Sequence, residues 1–223
     1  TGEVLLELVL VEVLPKDADP YDDLPIGLGP SSPPGTTTIA AAIAEVGQGV
    51  LAAGGVEDGP STQGLGRSAL DLLMRRPPRL RDGSALPAGG TPITDIRDAL
   101  LAMDDSYLAV QGPPGTGKTY VGSHVVRDLV LEHGWRVGVV AQSHAAVEHL
   151  LGCVVASGVP ADQVGKVAQG EDPSFTALPK DGHAAFAAAH TTAGRGYVVG
   201  GTTWDLTNVK RIERGQLDLV VVD

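Results

Sequence analysis

The chain has a single cysteine, Cys153, among its 223 residues. One thiol excludes an intramolecular disulfide framework and any zinc or iron–sulfur site built from several cysteines. The sequence also lacks an apolar run of the ~18 residues that a membrane helix requires, and its first residues show no basic-then-apolar leader. These absences favour a cytoplasmic protein with no membrane partner.

Positive charge is in short supply, since 16 Lys and Arg stand against 27 Asp and Glu, for a formal net charge of −11. Most of the acidic excess lies in residues 1–105, whereas residues 106–223 are close to neutral. Net charge acts at long range, but contacts with phosphate groups need only a local patch. The acidity therefore does not exclude a nucleic-acid partner.

The N-terminal half is interpreted as an accessory region. Residues 1–14 contain a Leu- and Val-rich run, 3–13, which predicts a strand at the end of an accessory β region. Residues 15–37 hold six prolines and predict a linker. Residues 38–105 predict a helical region before the next domain, with helices over 38–53, 66–75 and 95–103. The chain starts without methionine and stops inside an apolar run, which favours a piece of a longer polypeptide.

Residues 106–223 alternate between apolar strand patterns and helical patterns. This alternation predicts an α/β fold in which helices flank a parallel sheet and ligands bind at the carboxyl ends of the strands. Residues 158–182 are polar and contain three prolines, so they predict a solvent-facing excursion with one possible short strand at 164–167. The other predicted strands cover 107–111, 136–141, 197–201 and 217–222, and the predicted helices cover 117–133, 144–157 and 183–189.

A glycine-rich octapeptide lies between the first of these strands and the first helix, and it fits the P-loop pattern G-x-x-x-x-G-K-[ST] without a mismatch. In a P-loop, backbone N–H groups and the helix dipole converge on a triphosphate, and glycines allow the chain to curl around it. The lysine places a charge at the β- and γ-phosphates, and the final hydroxyl can bind Mg²⁺. The residues assigned to the nucleotide are Gly112, Pro113, Pro114, Gly115, Thr116, Gly117, Lys118 and Thr119.

The apolar run at the end of the chain, residues 217–222, is followed by Asp223. A buried strand that ends in aspartate is the Walker B pattern, and it would bring Asp223 close to Thr119 so that both serve one Mg²⁺. Lys118, Thr119 and Asp223 are therefore the candidate catalytic residues. ATP and Mg²⁺ are the expected cofactors, although no glutamine in residues 91–106 is available to read adenine.

Two further strands are predicted to end in small polar residues, Ser143-His144 and Thr202-Thr203. Such residues at the edge of a sheet can donate hydrogen bonds to the phosphates of a single-stranded nucleic acid. Equally, Ser143 can cap the following helix, and the two threonines can be turn residues. Trp204, next to them, is open to stacking on a base or to packing inside the protein.

The order of these segments resembles superfamily 1B helicases, the branch that includes the nonsense-mediated-decay type. The stretch Ala-Gln-Ser-His-Ala-Ala-Val-Glu-His-Leu-Leu, residues 141–151, is similar to motif Ia of that branch, and Gly-Thr-Thr-Trp, residues 201–204, is similar to motif Ic. Residues 68–80 resemble the pre-helicase region of bacterial proteins that join a RecB-like nuclease to such a helicase. The resemblance covers 66–223, most clearly from 107 onward.

This resemblance implies a RecA-like first motor domain that holds single-stranded DNA or RNA through Ser143, His144, Thr202 and Thr203 and moves 5′ to 3′. It also implies further partners in the same polypeptide: a second RecA-like domain with an arginine finger and a nuclease domain. The isolated chain would then hydrolyse ATP slowly or not at all.

Two other functions stay open. An AAA+ ATPase uses the same P-loop, although the 105 residues from Lys118 to Asp223 exceed the usual spacing in that class. A regulatory nucleotide-binding module without turnover is the second. The histidines other than His144 lack metal-ligand spacing and are predicted on surfaces or helix faces, and Cys153 is predicted in the core.

Overall fold

The computed structural model describes residues 35–52, 67–168 and 173–223, together with Lys16. From Thr36 onward the described residues belong to one unit, which is separate from residues 1–35. The strand predicted over 3–13 and nearly all of the linker predicted over 15–37 lie outside the described residues. Among the helices in the described part of the chain, none combines the length and the apolar character needed to cross a membrane.

Within these ranges the chain forms seven α-helices, one short 3₁₀ helix (Ala161–Gln163) and five strands. The helices are α1 (Thr37–Ala52), α2 (Arg67–Leu73), α3 (Pro92–Ala102), α4 (Lys118–His133), α5 (His144–Ala156), α6 (His183–Thr192) and α7 (Thr203–Leu206). The strands are β1 (Arg136–Val140), β2 (Val164–Lys166), β3 (Thr176–Ala177), β4 (Tyr197–Gly201) and β5 (Leu219–Val222). Apart from the segment before the P-loop, the predicted strands and helices in this part of the chain are confirmed to within a few residues.

The five described strands form one parallel sheet in the order β3-β2-β4-β1-β5. At the carboxyl end of β1, Val140 lies opposite Gly201 of β4 on one side and opposite Val222 of β5 on the other. The residues that follow these three strands therefore meet at one edge, called here the carboxyl edge of the sheet. The predicted α/β fold with a parallel sheet is confirmed.

Helices cover both faces of this sheet. Side chains alternate between the faces along β4, as the two-residue period of a strand requires. Val198 packs in a core cluster with Val126 of α4 and Leu151 of α5, whereas Tyr197 packs in a second cluster with Phe186 of α6. Helices α4 and α5 thus lie on one face and α6 lies on the other.

The prediction of a solvent-facing excursion over residues 158–182 is wrong for the described residues 158–168 and 173–182. Strands β2 and β3 lie in this range and extend the sheet beyond β4, and the 3₁₀ helix lies directly before β2. Polar residues here are buried because they find partners inside the protein. Gln163 donates from Nε2 to the carbonyl of Gly196 at 2.7 Å, and Lys166, 1% exposed, donates from Nζ to Glu148 Oε1 at 2.8 Å.

The prediction of a strand over residues 107–111 is also wrong, because this segment has no strand structure and Val110 is half exposed. Side-chain contacts hold its start instead. The hydroxyl of Tyr107 donates to the carbonyl of Arg76 at 2.8 Å, and the hydroxyl of Ser106 donates to the buried carboxylate of Asp71 at 3.2 Å. An apolar run predicts a strand from its side chains, but a strand also needs a neighbouring chain to complete its backbone hydrogen bonds.

Candidate nucleotide site and carboxyl edge of the sheet

The glycine-rich octapeptide forms a loop that ends in the first turn of α4. Gly115 and Gly117 have φ angles of 81° and 82°, in the left-handed region that glycine adopts without steric cost. Gly117 is the N-cap residue of α4 and makes no side-chain capping hydrogen bond. A helix N-terminus without a side-chain cap leaves backbone N–H groups available to an anion.

The side chain of Lys118 is folded over the loop. Its Nζ donates to the carbonyl of Gly112 at 2.6 Å and to the carbonyl of Pro113 at 3.1 Å, and the hydroxyl of Thr116 donates to the same Pro113 carbonyl at 2.7 Å. A phosphate oxygen is charged and is a stronger acceptor for an ammonium group than a neutral carbonyl. The residues of the loop therefore fit a bound nucleoside triphosphate.

The course of α4 orients the loop relative to the sheet. Only Gly134 and Trp135 connect the end of α4 to β1, and the two elements pack together. The helix therefore runs antiparallel to β1, so its N-terminus lies towards the carboxyl edge. Asp223 follows β5 at that edge, where its N–H donates to the carbonyl of Val140 at 3.0 Å and its side chain is exposed.

The register of β5 against β1 is held by contacts between Asp218, directly before β5, and Arg136, the first residue of β1. Asp218 accepts from the backbone N–H of Arg136 at 2.8 Å and from two nitrogens of the same guanidinium at 2.8 and 2.6 Å. The hydrogen bonds from the Arg136 side chain, which outweigh partial burial, hold the pKa of Asp218 below its usual value. The carboxylate of Asp218 thus aligns the strand that leads to Asp223.

The predicted Mg²⁺ site uses few protein ligands. In the part of the chain that the structure describes, no group of three or more His, Cys, Asp or Glu is placed to hold a metal ion. Mg²⁺ sites in nucleotide-binding proteins typically take one or two protein oxygens, phosphate oxygens and waters. The hydroxyl of Thr119 and the carboxylate of Asp223 fit such a site, and their metal-binding roles stay predictions.

Ser143 and His144 follow β1 at the carboxyl edge. The Oγ of Ser143 accepts from the N–H of Ala146 at 3.2 Å, so the residue caps α5, and it is exposed. His144 is half-buried at the first position of α5, and its Nδ1 is buried without a hydrogen-bond partner. The capping role of Ser143 does not conflict with its predicted contact to a nucleic-acid strand, because a hydroxyl that accepts one hydrogen bond can still donate another.

Thr202 and Thr203 follow β4, next to Ser143 and His144 because β4 pairs with β1. Thr202 is 8% exposed, and both its backbone N–H and its hydroxyl donate to Asp205 Oδ2, at 2.8 and 3.0 Å. Thr203 is exposed. Their nucleic-acid roles stay predictions.

Asp205 and Arg211 form an ion pair beside Thr202, and neither residue was predicted from the sequence. Burial by itself raises the pKa of Asp205, but the hydrogen bonds from Thr202 and the charge of Arg211 outweigh it and leave the pKa below its usual value. The three-residue spacing from Thr202 to Asp205 is that of a helix N-terminal cap and is the signal that can reveal Asp205. Arg211 carries no such local signal.

Two of the histidines predicted on surfaces or helix faces lie on the buried face of α6. His183 is 1% exposed and His190 is 5% exposed. Cys153, predicted in the core, is only half-buried. Both ring nitrogens of His183 are buried without a hydrogen-bond partner. The position of the two histidines on a helix face agrees with the prediction, and their burial depends on β4, which follows α6 in the chain and packs against it.

Burial lowers the pKa of His183, and although Asp205 and Asp181 oppose this effect, Arg211 and Lys166 reinforce it. In the unfolded chain a histidine titrates at about pH 6.5. The unfolded state therefore takes up a proton first, so the stability contributed by neutral His183 is complete above about pH 6.5 and is lost as the pH falls below that value.

We therefore expect His183→Met to flatten the pH dependence of stability between about pH 7.5 and pH 5. The substitution also removes two unpartnered nitrogens, so it should leave the chain at least as stable at the upper pH. Urea unfolding at several pH values measures both effects. His133→Gln, at an exposed position, is the control and should keep the wild-type slope. If His183→Met kept the wild-type dependence of the unfolding free energy on pH, His183 would not be the source of that dependence.

Residues 94–223 match the model of a protein family described as AAA domain. This range is more than half of the chain, and it contains the P-loop and all five strands of the sheet. No curated protein and no solved structure matches the chain. With the glycine-rich loop at the start of α4 and the parallel sheet behind it, the chain belongs to the AAA domain family and carries a nucleotide-binding domain of the P-loop NTPase class.

Proposed function

We propose that the chain is the first motor domain of an ATP-dependent helicase or translocase of the superfamily 1B type, which acts on single-stranded DNA or RNA. One observation carries this proposal: the segments Ser143-His144 and Thr202-Thr203 end adjacent strands at the same sheet edge as Asp223. A nucleic-acid strand that crosses this edge can therefore meet elements that also respond to the nucleotide.

The nucleotide has a defined set of candidate contacts in this proposal. Residues 112–119 bind the phosphates, and Thr119 and Asp223 hold Mg²⁺. When bound, the metal neutralises charge on the β- and γ-phosphate oxygens. The protein's part is to orient the phosphates through the backbone amides of the loop and the ammonium of Lys118. An arginine finger contributes about 10³- to 10⁵-fold to turnover, so without a second RecA-like domain we expect slow hydrolysis.

Two alternatives remain in competition. The family match is compatible with an AAA+ ATPase whose substrate is not a nucleic acid, and a nucleotide-binding module without turnover uses the same loop. The contacts proposed for Thr203 and its neighbours separate the first alternative from the helicase. A hydrolysis measurement on a longer chain that includes the partner domain separates the second.

The test is the binding of a fluorescently labelled single-stranded oligonucleotide, followed by anisotropy at low salt. We expect weak binding with a shallow salt dependence, because residues 106–223 carry only nine Lys and Arg. Thr203→Ala should weaken it by roughly 3- to 10-fold, the effect of one lost hydrogen bond. The matched control is Thr191→Ala, another exposed threonine at the far end of α6, shortly before β4 begins. Absence of strand binding by the wild-type chain would favour the AAA+ alternative.

A further inference from the structure

We propose that Asp205, held by Arg211, is a positioning residue that fixes Thr202 and thereby presents Thr203 to the nucleic-acid strand. The inference rests on the proposed function and deepens it. In this proposal Thr202 makes hydrogen bonds within the protein, and Thr203 alone of the two threonines contacts the nucleic acid. Asp205 and Arg211 are added as residues that support this contact.

The hydrogen bonds around Asp205 leave Thr202 little freedom to reach a ligand. Asp205 is 9% exposed, and its Oδ2 accepts both the N–H and the hydroxyl of Thr202, at 2.8 and 3.0 Å. A threonine hydroxyl has one hydrogen to donate. Since that hydrogen goes to Asp205 and Thr202 is only 8% exposed, Thr202 does not donate to a phosphate in this arrangement.

The next residue, Thr203, is held on its other side as well. Its carbonyl accepts from the N–H of Thr207 at 3.0 Å and from the hydroxyl of Thr207 at 2.7 Å. The backbone of Thr203 therefore lies between two anchored neighbours while the residue itself is exposed at the carboxyl edge. A side chain on a fixed backbone loses less conformational entropy when it binds.

Arg211 supplies the charge that a buried carboxylate requires. Its Nη1 pairs with Asp205 Oδ1, the oxygen that Thr202 does not use, and its Nε lies 3.8 Å from Asp181 Oδ1. A carboxylate with this little exposure is costly unless it is paired. The side chain of Arg211 is 18% exposed, so its main partners are within the protein.

These contacts join Thr202, directly after β4, to α7 and to the loop that follows α7, and none of these elements contributes a P-loop residue. A change at Asp205 should therefore alter the affinity for single-stranded nucleic acid and leave the affinity for the nucleotide unchanged. A residue that only stabilised the domain would affect both ligands together. This difference separates a positioning role from a general structural one.

The test compares two variants. Asp205→Asn keeps an amide oxygen that can still accept from Thr202, and the double variant Asp205→Ala/Arg211→Met removes the contacts without leaving an unpaired buried charge. The measurements are the affinity for a labelled single-stranded oligonucleotide, the affinity for a fluorescent ATP analogue, and the hydrogen exchange of the Thr202 amide. We expect the double variant to bind the strand about tenfold more weakly, with unchanged nucleotide affinity and faster exchange at Thr202. Asp205→Asn should keep the slow exchange and most of the strand affinity.

Several results would overturn the proposal. The double variant could bind the strand as tightly as the wild type, or lose both ligands in parallel. Its salt dependence could also become shallower by about one counterion, which would make Arg211 a direct phosphate contact. If the wild-type chain binds no strand, the proposed function fails, and the exchange of the Thr202 amide still decides the local claim. Loss of protection in the double variant supports the anchoring by Asp205, and unchanged protection rejects it.

Discussion

Replacing Lys118 with alanine is expected to weaken nucleotide binding by roughly 100-fold. The ammonium of Lys118 already projects over the loop, where it donates to the carbonyls of Gly112 and Pro113. With a triphosphate in the loop, the same group would exchange neutral acceptors for charged phosphate oxygens. Each charge-assisted hydrogen bond contributes about 1.5–3 kcal/mol, so the loss of one or two such bonds gives an effect of this size.

The measurement is a titration of the chain with a fluorescent ATP analogue in the presence of Mg²⁺. Lys118 is exposed, so the substitution should leave thermal unfolding nearly unchanged and the loss can be assigned to the ligand. Lys180→Ala, another exposed lysine, is the matched control for the removal of one positive charge. Equal affinities in the wild type and in Lys118→Ala would refute the assignment of the loop to the phosphates.

Substitution of Gly196 by alanine is expected to destabilise the fold by about 3 kcal/mol. A Cβ at this position would lie 2.5 Å from the carbonyl oxygen of Val130 and 2.8 Å from that of Trp135. Both atoms belong to the backbone, one near the end of α4 and one at the entrance to β1, so neither can rotate away as a side chain can. Relief of the clash would separate α4 from the sheet at the start of β4.

Gly122→Ala provides the contrasting substitution. Gly122 lies inside α4, and a Cβ there meets no atom within 4 Å beyond its chain neighbours and the backbone of α4 itself. Alanine is favoured over glycine in a helix by about 1 kcal/mol, so this variant should be as stable as the wild type or more stable. Urea unfolding followed by circular dichroism measures both variants. A wild-type urea midpoint for Gly196→Ala would show that α4 does not approach β4 as closely as the structure indicates.

Features encoded by contiguous residues were predicted well. The P-loop is eight consecutive residues whose chemistry depends on their own backbone and on the helix that follows. Strands β1, β4 and β5 each consist of a short apolar run, and α4 and α5 each begin and end at local signals such as Ser143 and Gly134. Such signals act within a few residues, so they can be read without knowledge of the rest of the fold.

The errors occur where distant parts of the chain meet. Residues 158–182 look solvated, yet β2 is buried because Lys166 pairs with Glu148 of α5 and Gln163 reaches the backbone of Gly196. Conversely, residues 107–111 have the composition of a strand but no strand structure. In both cases the outcome depends on whether a partner is present, and composition alone does not reveal the partner.

The sequence by itself determined the P-loop pattern, the alternation of strands and helices, and the polar residues that follow β1, β4 and β5. The tertiary structure alone decided which of these residues stay available to a ligand. Thr202 and Thr203 are identical side chains in neighbouring positions, yet Thr202 is buried and donates its hydroxyl hydrogen to Asp205, whereas Thr203 is exposed. The physical reason is that a hydroxyl's availability depends on the groups that fold against it. Asp205 has a local signal, but its burial also needs the charge of Arg211, which lies six positions beyond Asp205 and has no such signal.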